Sequence, residues 1–375
     1  CRALIAALIH AQLRGYDERM VPVHRYLAFI AYAYNEPERR FRNFMAYERT
    51  WLEAVGSDDS HARTLWALGV AIELAPNQMI RGLAHRLFTA ALPAADTFSY
   101  IRSKAFTLLG LDAFVRSEPE NAYARQLREA LAEQLHKAWQ DNASEDWPWW
   151  EDEATYDNAK LCQAMMISGH AMGHAQMRDD AIHALEWLVK VQTGEKGNLS
   201  VIGNAGWLQR SGHHAQFDQQ PLEAHALCEA FLAAAQITGD NKWVERALWA
   251  VRWFYGENDI GQSLYNEETG GCFDGLMPNQ VNRNEGAEST LALVLSVLNL
   301  HAYRQQIRMH VSDGGPDTVK LGIVGASKFA KFAVEQYDKI PGLQSAAVWS
   351  RTESSAHRLA EGTDLKVYPT LEQLT

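Results

Sequence analysis

Four short stretches of this sequence set carboxylates beside amides, aromatic rings or basic groups just ahead of an apolar run. They are Ser57-Asp58-Asp59-Ser60-His61-Ala62-Arg63, Asp146-Trp147-Pro148-Trp149-Trp150-Glu151-Asp152, Phe217-Asp218-Gln219-Gln220-Pro221 and Asn284-Glu285-Gly286-Ala287-Glu288. The last follows an acid-bearing glycine loop, Gly270-Gly271-Cys272-Phe273-Asp274-Gly275. Carboxylates in pairs serve as general acid and base, aromatic rings pack on sugar faces, and amides and guanidinium groups bind hydroxyls. On that chemistry the candidate catalytic residues are Asp59, Asp157, Asp218 and Glu288. Candidate substrate contacts are His61, Arg63, Trp149, Trp150, Asp152, Trp207, Gln219, Gln220, Asp274 and Glu285.

Each group has a structural alternative. Asp59, Asp157 and Asp218 stand where an aspartate caps a helix. Trp66, Trp187, Trp243, Trp249 and Trp253 fall at helical spacing and are assigned to the core. His170 and His174 are four apart, as in a metal pair, but no Glu accompanies them in an HExxH pattern, and no metal site is expected.

These loops need elements to hold them. Apolar residues recur at three- and four-residue spacing over about 3–14, 22–35, 38–55, 59–74, 79–91, 98–116, 121–140, 157–173, 178–192, 219–238, 241–256 and 286–305, which predicts helix after helix. The segments starting near 59, 98, 157, 219 and 286 are rich in Ala, Leu and Met. Those starting near 79, 121, 178 and 241 show a polar face. Helices covered all round beside helices covered on one side imply an inner and an outer ring. The expected fold is therefore mainly α: an (α/α)6-type toroid over 1–305, with the candidate acids at the mouth formed by the inner helix ends.

Past 305 the pattern changes. Residues 306–318 read as a linker. Then Val319–Val324 is a short buried strand, a helix follows to about Ile340, and strands at Ser345–Trp349 and Leu365–Tyr368 flank a helix over about 353–360. That βαβαβ order predicts a parallel sheet, a truncated Rossmann-like unit over 319–375. Its first turn, Gly325-Ala326-Ser327-Lys328-Phe329-Ala330, is a degenerate GxGxxG.

Composition excludes several functions. The 375 residues carry a formal net charge of −11, against binding to nucleic acid through its phosphates. No apolar run approaches the roughly 20 residues that span a bilayer, so no membrane partner is expected. The four cysteines, Cys1, Cys162, Cys228 and Cys272, are far apart and form no CxxC pair, which fits reduced thiols and a cytoplasmic location. The sequence opens at Cys1 inside a helical pattern, and reads as cut from a longer protein.

The stretches Ser57–Gly69 and Asp218-Gln219-Gln220-Pro221 resemble helical domains that accompany bacterial glycosyltransferases, and the whole of 1–305 resembles six-hairpin glycosidase-type domains. That resemblance implies a sugar or oligosaccharide ligand without fixing a reaction. Residues 319–374 resemble the N-terminal half-domain of the glucose–fructose oxidoreductase and inositol dehydrogenase family through Leu321–Ala330, Val348-Trp349-Ser350-Arg351 and Tyr368–Leu374. The resemblance implies NAD(P) held by Gly322, Gly325, Ser327, Lys328, Phe329, Ser350 and Arg351. Since Arg351, and no acid, ends the second strand, NADP fits at least as well as NAD. The family's Lys-Pro motif and its catalytic Lys and His lie further along than this sequence runs, and Met309 stands where a separate oxidoreductase would begin. A read-through of two neighbouring sugar genes is one expectation for this arrangement.

Three functions follow as expectations. One is a carbohydrate-active enzyme cleaving glycosidic bonds by carboxylate acid/base chemistry, joined to an incomplete oxidoreductase domain. Another is a non-catalytic glycan-binding or scaffold domain of a glycosyltransferase. The third is an NAD(P)-dependent sugar oxidoreductase of which only the nucleotide-binding start is present. A sugar 2-epimerase with His61 as base is a further variant.

Overall fold

The structure is a computed structural model that describes residues 1–15, 21–312, 319–325, 330, 334, 343–370 and 373. The described residues form two compact units, Cys1–Tyr303 and Arg304–Thr375.

In the first unit, helices alternate between two layers. The inner layer is α1 (Arg2–Arg14), α3 (Asp58–Glu73), α5 (Ile101–Ser117), α7 (Asn158–Ala171), α9 (Pro221–Thr238) and the part of α11 (Ala287–Ser312) up to Tyr303. The outer layer is α2 (Val21–Ala33), α4 (Gln78–Ala91), α6 (Ala122–Asn142), α8 (Ala175–Val191) and α10 (Lys242–Phe254). The two kinds differ in what they bury. On α9 every residue from Pro221 to Ala235 is buried. On α6 burial is confined to Ala124, Leu127, Arg128, Leu131, Ala132, Leu135 and His136, a stripe at helical spacing.

Inner helices pack in order, α1 on α3, α3 on α5, α5 on α7 and α7 on α9, and each odd-numbered helix from α1 to α9 packs on the outer helix that follows it. From α9 to α11 the link is polar: Asn299 donates to Glu229 (2.7 Å), and the His225 ring lies against the Ser296 hydroxyl (3.4 Å). Arg2 on α1 pairs with Glu288 on α11 and closes the ring. The tightest crossing is α3 on α5, where Gly69 meets Gly110. A Cβ built on Gly69 would lie 2.2 Å from the Gly110 carbonyl oxygen.

Residues 38–55 do not form the expected helix. Tyr34–Asn35 (β1) and Arg40–Phe41 (β2) pair antiparallel instead, and Met45 bridges to Trp51. Long-range contacts override the local periodicity. Phe41 is buried between Tyr34 and His61, and Arg40 donates to the Gly56 carbonyl and Asp58. Helix α11 continues to Ser312, through the start of the expected linker, because Arg304, Gln305, Gln306 and Arg308 are good helix formers. His170 and His174 do not share a helix: α7 ends at Ala171, and His174 caps α8 by accepting from the Met177 N–H (3.1 Å). Small antiparallel pairs tie the loops at one end of the ring: β3 (Glu153–Ala154) with β4 (Leu208–Gln209), and β5 (Gly275–Leu276) with β6 (Val281–Asn282).

The second unit holds a three-stranded parallel sheet in the order β7 (Val319–Val324), β8 (Leu343–Trp349), β9 (Lys366–Val367). Helix α12 (Glu353–Ala360) packs on it, and its core includes Ile323, Val348, Ala356, Leu359 and Leu365.

Candidate functional site

Because inner helices share one direction, their N-termini gather at one end of the ring. Ser57 caps α3 by accepting from the Ser60 N–H (3.1 Å), which leaves Asp58 and Asp59 free for other partners. Asp59 accepts from Arg63 Nε (2.7 Å) and from the Tyr156 hydroxyl (3.4 Å). The other face of the same guanidinium fork pairs with Asp157 (2.6 Å), and Arg63 lies over the Phe106 ring at 4.0 Å. Asp157 is fully buried and sits in the left-handed region (φ 50°) directly before α7, making no capping hydrogen bond. Aspartate tolerates that conformation better than most residues, at a cost that surrounding contacts must offset. Those contacts come from Glu223 on α9, whose carboxylate accepts from the Asp157 N–H (2.6 Å) and the Asn158 N–H (3.3 Å). Arg102 on α5 binds the Tyr156 carbonyl (2.6 Å), Glu151 (2.6 Å) and Asn158 (3.3 Å), pinning the loop from the other side.

Burial first, and the Asp157 charge second, push the Glu223 carboxyl up to about 8, while backbone N–H donors and Arg102 pull it down less. A folded-state value above the unfolded 4.5 means that the native protein binds this proton more tightly. Stability from this group is complete below the unfolded value and declines as pH rises through about 8. Unfolding in urea at about pH 5 and about pH 9 should therefore show a smaller loss of stability with pH in Glu223→Gln than in the native protein. Equal losses would refute this account.

A polar cavity of about 410 Å³ lies at the entrance to α9 and α11. Asn204, Asp218, Gln220, Asp274, Asn282, Glu288 and Ser289 are among its lining residues. Asp218 is exposed there, and its carboxylate has no hydrogen bond or ion pair among the described residues. Glu288 is paired with Arg2. Asp274 is committed to structure: it accepts from the Gly286 N–H (2.7 Å), the Ser289 hydroxyl (2.7 Å) and the Asn284 amide, fixing the first turn of α11. Burial opposes its ionisation, and the donors Asn284, Ser289 and Gly286 together outweigh that and hold it below the usual range.

The remaining sequence candidates are spread more widely. Gln219 is buried, with its amide spent on Trp253 (3.0 Å), Gln216 (2.9 Å) and Asp259. Glu285 accepts from Asn266 and Thr269, both at 2.6 Å, which holds it below the usual carboxylate range. His61 is buried between Phe41 and Phe98, with one ring nitrogen on the Phe41 N–H (3.3 Å) and the other on the Ala91 carbonyl (3.1 Å). Burial, with Arg40 adding to it, lowers it to about 4. Trp149 and Trp150 are buried edge to face, and Trp187 from α8 covers Trp149 at 5.4 Å, so neither ring offers a face to a sugar. Trp207 is half-buried with φ 57°, and Asp152 is exposed beside Arg210 (3.4 Å). Neither lines the cavity. Gly322, Gly325, Ser350 and Arg351 belong to the second unit, where Val324 pairs with Trp349 so that Gly325 and Ser350 leave adjacent parallel strands at the same edge. The Gly325 N–H is already donated to the Trp349 carbonyl (2.7 Å). Ser327, Lys328 and Phe329 lie outside the described residues.

Sequence reasoning passed over Lys160 and Glu229. Lys160 on α7 is buried, pairs with Glu229 on α9 and lies 4.6 Å from the centre of the Trp66 ring. The available signal was a lysine opening the apolar run Leu161–Met166, since buried lysines are nearly always paired. His225, which was also passed over, is buried 3.7 Å from Glu229. Among the described residues no group of three or more His, Cys, Asp or Glu is arranged to hold a metal, and no helix is long and apolar enough to cross a membrane.

No protein-family model matches the chain, and no curated protein is similar to it in sequence. Among solved structures, it is similar to a cellobiose 2-epimerase from Spirochaeta thermophila, with TM-score 0.60 at 11% identity over 82% of this chain and 85% of that one. The helical unit is an (α/α)6 toroid. A D-mannose isomerase (TM-score 0.60, 9% identity, 81% and 86% of the two chains) and a GH76 alpha-mannanase from Bacteroides thetaiotaomicron (0.56, 11%, 82% and 86%) share the toroid. At these identities the likeness establishes the toroid fold alone. The matched structures lend no support to dinucleotide binding by the second unit.

Proposed function

We propose that this protein processes carbohydrate, with a sugar or oligosaccharide in the cavity between the entrances of α9 and α11. The observation that carries this is Asp218, a carboxylate without a partner among the described residues, in a cavity lined also by the amides of Asn204, Gln220 and Asn282 and by the engaged carboxylates Asp274 and Glu288. Amides bind sugar hydroxyls, and a carboxylate free of competing partners moves a proton at a glycosidic oxygen. Glu288, held beside Arg2, would stabilise positive charge developing on the sugar ring. That the solved structures sharing this fold are named as sugar epimerases, isomerases and mannanases supports a sugar ligand without selecting a reaction.

The test is turnover of a panel of gluco- and manno-oligosaccharides, followed by product chromatography. Asp218→Asn is expected to lower kcat by about 10²–10⁴-fold, with Glu288→Gln lowering it less. Unchanged rates in both variants would end the assignment.

A second reading has its own observation. Asp274 is consumed by structural hydrogen bonds and Glu288 by Arg2, which leaves Asp218 as the one uncommitted carboxylate among the described lining residues, where acid/base cleavage uses two. A toroid that binds glycan for a partner glycosyltransferase fits that count. Calorimetric binding of an oligosaccharide that is never turned over would favour it.

For the second unit we propose a dinucleotide ligand, which would supply hydride chemistry there; Gly325 and Ser350 following adjacent parallel strands is the feature that supports the reading. Titration of the full chain with NADP and NAD, read by calorimetry, tests this.

A further inference from the structure

At the opposite end of the toroid, the C-terminal turns of α5, α7 and α9 surround a second cavity, of about 460 Å³. Its walls are apolar at Ile167, Ala233 and Ile237 and charged at Arg116, Arg128 and Asp112. The two arginines differ in an important respect. Arg116 is fully engaged, with Glu73 at 2.7 and 2.9 Å and with Asp112. Arg128, on the second turn of α6, is 8% exposed, yet its guanidinium makes no hydrogen bond or ion pair with any described residue. Its Nε is buried and unsatisfied.

A buried cation without a partner is costly, and native proteins nearly always supply one. The inner helices end here, and their carbonyl ends attract cations, but none of those carbonyls accepts a bond from Arg128. Asp112 and Glu73 are already taken by Arg116. Burial, reinforced by Arg116 and Arg125, pushes the Arg128 guanidinium down from its usual range, and Glu129 offsets this only in part. The missing counter-charge is thus not within the described part of the chain.

We infer that this cavity is a binding site for a small organic anion, whose phosphate or carboxylate head sits on Arg128 and whose body lies against Ile167, Ala233 and Ile237. A planar guanidinium with free N–H groups matches the paired oxygens of either head group. The apolar walls suit a ligand with a carbon skeleton better than a bare ion. The site is separated from the Asp218 cavity by the length of the inner helices, so it stands whether or not the proposed sugar chemistry does.

Thermal unfolding of the full chain tests it, in chloride buffer at constant ionic strength, with inorganic phosphate, glucose 6-phosphate or glucuronate added. At about a hundredfold excess over Kd, a ligand bound only by the folded state should raise Tm by about 5 °C. A shift with glucose 6-phosphate alone, or with it more than with phosphate, identifies a phosphate head on an organic body. A shift with glucuronate alone identifies a carboxylate. In Arg128→Met the shift should vanish, while Tm without ligand should match or exceed that of the native protein, because an unpaired buried charge has been removed. Arg128→Lys, which keeps the charge without the fork, should bind more weakly and remain folded. No saturable shift with any of the three anions, an undiminished shift in Arg128→Met, or a lower unliganded Tm in that variant would overturn the inference.

Discussion

Replacing Arg63 by methionine is expected to destabilise the helical unit by about 3–5 kcal/mol, seen as a large fall in the denaturant midpoint at neutral pH. Arg63 reaches two carboxylates at once, Asp59 at 2.7 Å and Asp157 at 2.6 Å. Asp59 is partly exposed and returns to water when the pair is broken. Asp157 is fully buried and has nowhere to go. The cost is therefore mainly that of stranding one buried charge, and it should shrink when Asp157→Asn is added to the same background. Arg63→Lys should recover only part of the loss, because an ammonium lacks the planar fork that bridges two acceptors. A loss below about 1 kcal/mol, the range of exposed ion pairs, would show that this network contributes far less than its geometry implies.

The crossing of α3 and α5 should give the second large effect. An alanine in mid-helix ordinarily stabilises relative to glycine by about 1 kcal/mol. At Gly110 the added Cβ would lie 2.7 Å from the Leu65 carbonyl oxygen and 2.9 Å from the Trp66 Cα, both backbone atoms. Helices α3 and α5 are each hemmed in by other inner and outer helices and have little room to separate. Gly110→Ala should therefore cost about 3 kcal/mol, reversing the usual sign. Gly82 on α4 supplies the control, since a Cβ there meets nothing within 4 Å and Gly82→Ala should stabilise. Thermal melts of the two variants that moved in the same direction would contradict this reading.

Much of the helical architecture was legible because inner helices must be apolar all round. The run from Leu222 to Ala235 is apolar on every side except at Glu223, His225 and Glu229, and the stripe on α6 belongs to a helix with one wet face. The segment from Tyr34 to Gly56 was not legible, since its shape is set by distant partners: His61 packs on Phe41, and Asp58 holds Arg40. The loops bearing Asp218, Asp274 and Glu288 could be anticipated at a common end, because each precedes an apolar run. Which of those acids would be free could not. Asp274 is drawn into the first turn of α11 by a glycine N–H and a serine hydroxyl, a use that only the folded loop reveals. The tryptophans of the loop Asp146–Asp152 read as exposed walls for the same reason: Trp187, their cover, lies more than thirty residues away on α8.

The link from Arg2 to Glu288 joins residues 286 apart, whereas most other neighbours around the ring follow one another closely in the chain. Helix hairpins can form early, because local contacts close small loops at little entropic cost. The junction of the first and last inner helices has to wait until the rest of the ring has curved far enough to bring them together. The ring therefore has a seam, last to close during folding and first to part under stress. Amide hydrogen exchange should find α1 and the start of α11 opening at lower free energy than α5, α7 and α9. Since Glu288 belongs to that seam, the cavity beside it sits where the toroid yields most readily, a natural place for a ligand to enter.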